Sequence, residues 1–244
     1  MKQEKIDKTP ARLDFLQSAT GLILGLFIMG HILFEASILI SKEMMYKVTL
    51  MFEGYYFFGE RYPGIISFLA AAISIIFILH AAIAMRKMPS KYREYRIMRK
   101  HIASLKHEDS SLWMIQVITG FGMFFLGSVH LYTMMAQPDQ IGPYASASRI
   151  VDDHVAPLYL LLLFSVVTHT FIGLYRLALK WGFLEGKNSK KSRKVFKFLM
   201  KSLIPIYLVV GSLSLTQYIK IGLSDDHNST DRYHPTTFTL KEAK

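Results

Sequence analysis

Four histidines, His31, His80, His130 and His169, stand inside long apolar stretches, one per stretch, with spacings of 49, 50 and 39 residues. Ionisable side chains are costly and rare inside lipid. A single one is readily explained by an interhelical hydrogen bond; four on four helices ask for a shared cause. Imidazole ligates iron well, and two of them can fill both axial positions of a flat macrocycle. Zinc would need further ligands at the same level, and no carboxylate or thiol cluster supplies them. The chain has 0 cysteines, which excludes disulfides, thiolate zinc sites, protein-bound iron–sulfur clusters and covalent c-type haem.

Depth sorts the four into pairs. His31 and His130 each lie 18 residues past an inner end, at Leu13 and Leu112. At about 1.5 Å per residue that is about 27 Å in, near the outer face. The helices carrying His80 and His169 run the other way. These two stand six residues before Arg86 and seven before Arg176, about 10 Å from the inner face. The two levels are thus about 15 Å apart. Each pair is a site for one bis-histidine b-type haem, and two haems stacked this way form an electron wire across the membrane. With both axial positions filled they transfer electrons and bind no oxygen. Gly30, Ala81, Ala82, Gly127 and Gly173 beside the ligands leave room for a macrocycle, or are ordinary small-residue helix packing.

The elements that must hold these residues are membrane spans. Hydrophobic residues make up 51% of 244, mean hydropathy is +0.26, and the net charge of +11 is confined between apolar blocks. That placement speaks for a membrane surface and against nucleic acid. A bilayer needs about 20 apolar residues per helix. Five segments qualify, at about 13–41, 63–86, 112–135, 154–176 and 198–223. The reading is an all-α integral membrane protein: a single domain over 1–223, in which a four-helix dihaem bundle is joined by a fifth helix, then a polar outer tail over 224–244. The first span is too long for a cleavable signal peptide and lacks a small-residue site after it. Pro205 falls in the fifth span, where proline is tolerated. No internal repeat stands out.

Of the 29 Lys and Arg residues, 21 fall in the N-terminal tail and in the second–third and fourth–fifth connections. The positive-inside rule then puts the N-terminus in the cytoplasm and the C-terminus outside. The basic inner face serves topology and lipid headgroups, or docks a cytoplasmic partner; charge alone does not separate the two. His101 and His107 belong to a solvated inner loop, His227 and His234 to the tail, and His154 opens the fourth span beside Asp152 and Asp153.

Gly30-His31-Ile32-Leu33-Phe34-Glu35, Leu79-His80-Ala81, Ser128-Val129-His130 and His169-Thr170-Phe171-Ile172-Gly173-Leu174-Tyr175-Arg176, with the histidine spacings, make the whole chain resemble a family. It is similar to the dihaem cytochrome b subunits of fumarate reductases and related succinate:quinone reductases, in their five-helix, single-chain form. The resemblance implies an anchor in the bacterial cytoplasmic (inner) membrane, in contact with membrane lipid. It implies a flavoprotein subunit with FAD and an iron–sulfur subunit on the cytoplasmic face, and leaves open a dimer of the heterotrimer. Cofactors would be two haem b: a proximal one on His80 and His169, and a distal one on His31 and His130. Menaquinol, the quinone substrate, would be oxidised near the distal haem and its electrons passed inward to fumarate, as in anaerobic respiration.

The resemblance also implies roles for lesser residues. Glu53 matches a family glutamate lining the quinol cavity, where a carboxylate can accept the protons that quinol oxidation releases. The residues alone make it an exposed loop glutamate among Tyr55, Tyr56, Phe57 and Phe58. Haem propionates need donors at the membrane edge. Family positions for these match Gln17, Ser18, Trp113 and Lys180 inside and Arg149 outside, each otherwise an interfacial anchor. Lys180 lies three turns beyond His169 on the same helix face. One departure stands out. Close relatives carry a proton-moving glutamate two residues before the fourth ligand, and here that position is Val167. Moving one charge against 100 mV costs about 2.3 kcal/mol, so valine there puts the direction of turnover in question.

Three function classes are distinguished. The first is the quinol-oxidising, electron-transfer subunit of a menaquinol:fumarate reductase, with a succinate:menaquinone reductase as its reverse. The second is the haem-b anchor of a hydrogenase or formate dehydrogenase, which the spacing fits poorly. The third is a non-redox transporter, which would show paired broken helices. The dicarboxylate chemistry lies on another subunit, since no nucleotide-binding motif is present.

Overall fold

The computed structural model describes residues 7–105, 108–186, 188–224 and 233. Lys2, Lys5, Lys106, Lys187, Arg232, Lys241 and Lys244 of the charge count, His107, His227 and His234, and nearly all of the polar tail lie outside the described residues.

Nine α-helices and two 3₁₀ turns follow one another among the described residues, with no strand. Five of them are long and apolar enough to cross a membrane. They are α1 (Thr9–Glu35, continued by a 3₁₀ turn to Leu39), α4 (Gly64–Met85), α6 (Glu108–Ala136), α8 (Ala156–Lys180) and α9 (Ser189–Gly222). In lipid the backbone must satisfy its own hydrogen bonds, so an apolar stretch of this length becomes helix whatever its propensities. The 22 residues of α4 span about 33 Å. Prolines start α1 and α8 within their first two positions, where no intrahelical donor is lost. Pro205 sits inside α9 without ending it.

Between the spans lie shorter amphipathic pieces: α2 (Lys42–Phe52), α3 (Tyr55–Phe58), α5 (Tyr92–Leu105) and α7 (Pro143–Asp152). The Ser41 hydroxyl caps α2 by accepting the Met44 N–H at 3.0 Å. Gly54 links α2 to α3 at φ 79°, and a Cβ there would stand 2.8 Å from Ile65 and Phe58 atoms. That position therefore requires glycine both for its dihedral and for its space.

Helices α1, α4, α6 and α8 form a four-membered bundle, and α9 packs on the outside of α8 and against α7. The tight seam is α8–α9, where Val166, Val167, Phe171, Ile172 and Tyr175 meet Met200 and Tyr207. Gly211 lets α9 approach α8 so closely that a Cβ would fall 2.5 Å from Leu163. A second cluster, Ile38, Met45, Ala147, Ile150, Tyr218 and Ile221, closes the end of the bundle that carries α2 and α7. Tyr233 of the tail packs on that end, its ring 5.6 Å from Tyr46 and 5.5 Å from Tyr144. Phe57, Phe68 and Phe125 face outward at 83%, 77% and 69% exposure. In a bundle sheathed by lipid these are surface anchors and need no protein partner.

Candidate functional site

The centre of the bundle is not filled by side chains. A cavity of about 1160 Å³ runs along it, larger than the ~300–1,000 Å³ of an ordinary single-ligand pocket. All four span histidines line it. Each is half-buried, since it faces the cavity and not lipid.

At one level His31 of α1 faces His130 of α6, with ring centroids 6.0 Å apart. A metal–imidazole bond is about 2 Å. Two rings on opposite sides of one metal ion therefore place their centroids about 6 Å apart, by the same bond length plus the ring radius. Phe27 stacks on His31 at 5.5 Å, and Tyr159 meets His130 edge-on at 5.5 Å, so both rings are held in orientation. Nδ1 of His130 is buried with no hydrogen-bond partner, the kind of orphan that a group placed in the cavity would explain.

At the other level His80 comes from α4 and His169 from α8. Their Nδ1 atoms are engaged by neighbouring helices in the same way. His80 Nδ1 meets the Thr20 hydroxyl at 3.1 Å. His169 Nδ1 meets the Gln116 carbonyl at 2.9 Å and the Thr119 hydroxyl at 3.4 Å. A carbonyl can only accept, and the Thr20 hydroxyl already donates to the Leu16 carbonyl at 2.8 Å, so Nδ1 carries the hydrogen and Nε2 keeps the lone pair that binds metal. Gly21 and Gly120 complete each cradle. A Cβ on Gly21 would lie 2.9 Å from Cε1 of His80, and one on Gly120 would lie 3.1 Å from Cε1 of His169.

These cradles reveal what sequence reading missed. Gln17-x-x-Thr20-Gly21 followed ten residues on by His31 recurs as Gln116-x-x-Thr119-Gly120 followed ten residues on by His130. Helices α1 and α6 are thus a degenerate internal repeat. Each supplies one histidine at one level and a Gln–Thr–Gly cradle for the other level. Contrary to the expectation of no internal repeat, these two helices repeat one pattern; too few positions match for it to show without the contacts.

The other singled-out residues fall as follows. Gln17, Ser18, Trp113 and Lys180 line the cavity at the His80–His169 end, and Arg149 lines it at the His31–His130 end. Lys180 Nζ donates to the Ser18 hydroxyl at 3.1 Å and to the Asp14 carbonyl at 3.0 Å. Asp14, unremarked in the sequence, gathers Arg86 at 2.9 Å and Lys87 at 2.8 Å. Arg149 is 8% exposed and donates to the Gln140 carbonyl at 2.7 Å. Glu53 is not an exposed loop residue. It caps the end of α2, fully buried, and its carbonyl accepts the Tyr62 N–H at 2.9 Å. It lies beside Phe52 and Thr49, which line the cavity, but does not line it itself. Val167 points away into the α8–α9 core at 0% exposure. A further carboxylate, Glu35, does line the cavity, one turn beyond His31.

The residues fit haem. His31 and His130 face one another, His80 and His169 line the same cavity at the other level, glycines cradle the latter two rings, and cationic or amide donors stand at both ends. Among the described residues no cluster of three or more His, Cys, Asp or Glu gathers.

Residues 92–209 match the family model described as succinate dehydrogenase/fumarate reductase transmembrane subunit. The chain is 46% identical over 229 residues to the fumarate reductase cytochrome b subunit of Wolinella succinogenes, covering 94% of this chain and 90% of that protein. It is 47% identical over 218 residues to the subunit of the same name from Helicobacter pylori, covering 89% and 84% respectively. Similarity of this depth across nearly the whole length establishes that the chain belongs to the fumarate reductase cytochrome b subunits, within the succinate dehydrogenase/fumarate reductase transmembrane family.

Proposed function

We propose that this chain is the membrane anchor and electron-transfer subunit of a menaquinol:fumarate reductase in the bacterial inner membrane. It would oxidise menaquinol near the outer side and pass electrons inward to an iron–sulfur subunit and an FAD-bearing flavoprotein. The observation that carries the reading is the pair of imidazole pairs lining one continuous cavity.

When bound, two bis-imidazole b haems supply one-electron carriers whose iron has no open position. His31 and His130 would hold the distal one, His80 and His169 the proximal one. The chain's own residues do the rest. The Gln116 carbonyl keeps the His169 imidazole in the metal-binding tautomer, and the Thr20 hydroxyl, itself donating to the Leu16 carbonyl, does the same for His80. Lys180, with Ser18, Gln17 and Trp113, offers donors to the propionates of the inner level, and Arg149 to those of the outer level. Glu53, beside the cavity at the end of α2, accepts a proton released as menaquinol is oxidised and hands it to the outer water. Lys180, Lys87 and Arg86 around Asp14 place positive charge on the cytoplasmic face, where the iron–sulfur subunit docks.

Val167 favours a second reading. With an apolar residue buried there, α8 carries no carboxylate between the two levels. Inward electron flow would then oppose an inside-negative potential at about 2.3 kcal/mol per charge per 100 mV. Succinate oxidation by menaquinone would be helped by the same potential. Turnover in both directions, measured in sealed vesicles with and without an uncoupler, tests this. Fumarate reduction by menaquinol supports the first reading. Stimulation of that reaction by the uncoupler identifies uncompensated charge movement. Absence of quinol-linked turnover in both directions would refute the assignment.

A further inference from the structure

Glu35 lies on α1 inside the first span, one turn outward of His31, and its side chain faces the cavity. A carboxylate turned into a mostly apolar cavity, and not toward outer water, needs a reason. Among the described residues no Lys, Arg or His forms an ion pair with it, and no hydrogen bond joins it to His31. Its partner is the hydroxyl of Tyr218 on α9, which donates to Oε2 at 3.1 Å. Tyr218 itself is 4% exposed. The other titratable groups facing this end are Tyr159 from α8, Arg149 from α7 and His130 from α6. Helix α2 contributes none, and α4 only His80 at the opposite level. Glu35 is thus a carboxylate opening on the outer chamber, where Glu53 is buried beside it.

We propose that Glu35 is the proton-exchanging group of the outer haem chamber. It binds one proton as the distal haem gains an electron, and releases it to the outer side as that electron moves inward. The inference rests on the haem reading above. The balance is simple. Menaquinol yields two electrons and two protons. One electron converts ferric to ferrous iron without adding a proton there. One proton on the Glu35 carboxylate gives the neutral acid and leaves the charge of the chamber unchanged. Tyr218 holds the carboxylate toward the cavity. Because Glu35 lies outward of His31, it returns its proton to the side from which it came, and does not replace a transmembrane carrier at Val167.

Linkage makes the proposal measurable, since reduction that favours protonation requires protonation to favour reduction by the same factor. The test is a spectroelectrochemical titration of the intact complex over a series of pH values, for the wild type, Glu35→Gln, Glu35→Asp and Tyr218→Phe. The limiting slope is tenfold in reduction equilibrium per pH unit, about 59 mV for a one-electron couple. The midpoint of one haem is expected to fall with pH in the wild type, and to lose that slope in Glu35→Gln while the other haem is unmoved. Glu35→Asp restores the slope. Tyr218→Phe keeps the slope, because the carboxylate itself remains. A redox-difference infrared band from a protonated carboxyl disappears in Glu35→Gln alone. Wild-type midpoints independent of pH, or a Glu35→Gln slope equal to the wild type, would overturn the role of Glu35 with the haem sites intact. Fewer than two haems in the wild type would instead remove the haem reading, and this inference with it.

Discussion

Gly21→Ala isolates the cradle from the ligand. The new Cβ would stand 2.9 Å from Cε1 of His80. Carbon atoms pack best at about 3.5–4.0 Å, so the ring must retreat by about 0.6 Å. Metal–ligand distances tolerate about 0.2 Å, so the retreat exceeds that tolerance about threefold. Overpacking of this kind costs about 1–3 kcal/mol, and alanine in a helix returns up to about 1 kcal/mol relative to glycine. The fold therefore survives while the proximal site is distorted. A loss of 1.4 kcal/mol in haem binding is already tenfold in affinity. The built-in control is Gly64→Ala. Gly64 opens α4 on the same helix as His80, away from the cavity, and a Cβ there would meet nothing within 4 Å. The assay is the reduced-minus-oxidised spectrum of the purified complex with haem counted per chain. Gly21→Ala should lose or strongly shift one b haem, and Gly64→Ala should match the wild type. If Gly21→Ala carries both haems with unchanged spectra and potentials, the claim that Gly21 cradles the His80 ring is wrong.

Further expectations share the same logic. His80→Ala or His169→Ala should remove the proximal haem and stop electron delivery, while the distal haem can still be reduced by quinol; the optical spectrum and fumarate turnover check this. Glu53→Gln should keep both haems and abolish menaquinol oxidation, whereas an active variant would refute its role as proton acceptor. Gly211→Ala should weaken α8–α9 packing by about 1–3 kcal/mol against Leu163, read as a lowered midpoint of thermal unfolding in detergent with both haems still present. Lys180→Met should change stability by less than about 1 kcal/mol, since the side chain is exposed. It should still shift the proximal haem potential in a redox titration, through loss of a propionate donor.

The histidines were legible because lipid makes charge conspicuous. An ionisable residue in an apolar run cannot be a solvated accident, and helical rise converts its position into depth. The paired levels follow from that alone, and the His31–His130 approach agrees with it. The helices nevertheless run past the apolar windows. Helix α6 begins at Glu108 and α9 at Ser189, since hydropathy marks the hydrocarbon core while backbone hydrogen bonding continues through the headgroups. The cradles were hidden for a different reason. Gln17, Thr20 and Gly21 act on a histidine of another helix, and no periodicity within one segment reports a contact across the bundle. Glu53 was misjudged from its residues alone because its neighbours Phe57 and Phe58 are exposed, while the turn at Gly54 and the Tyr62 N–H fold it inward. Glu35 went unassigned because the chain gives no local hint of Tyr218, 183 residues away.

The central claim is that two imidazole pairs each clamp one iron porphyrin. A potentiometric optical titration of the intact complex, with total haem fixed by pyridine haemochrome, tests it most directly. The account predicts two resolved one-electron transitions of low-spin haem b per chain, each lost separately when a histidine of its own pair is replaced. A colourless protein, a single transition, or a high-spin spectrum would contradict it.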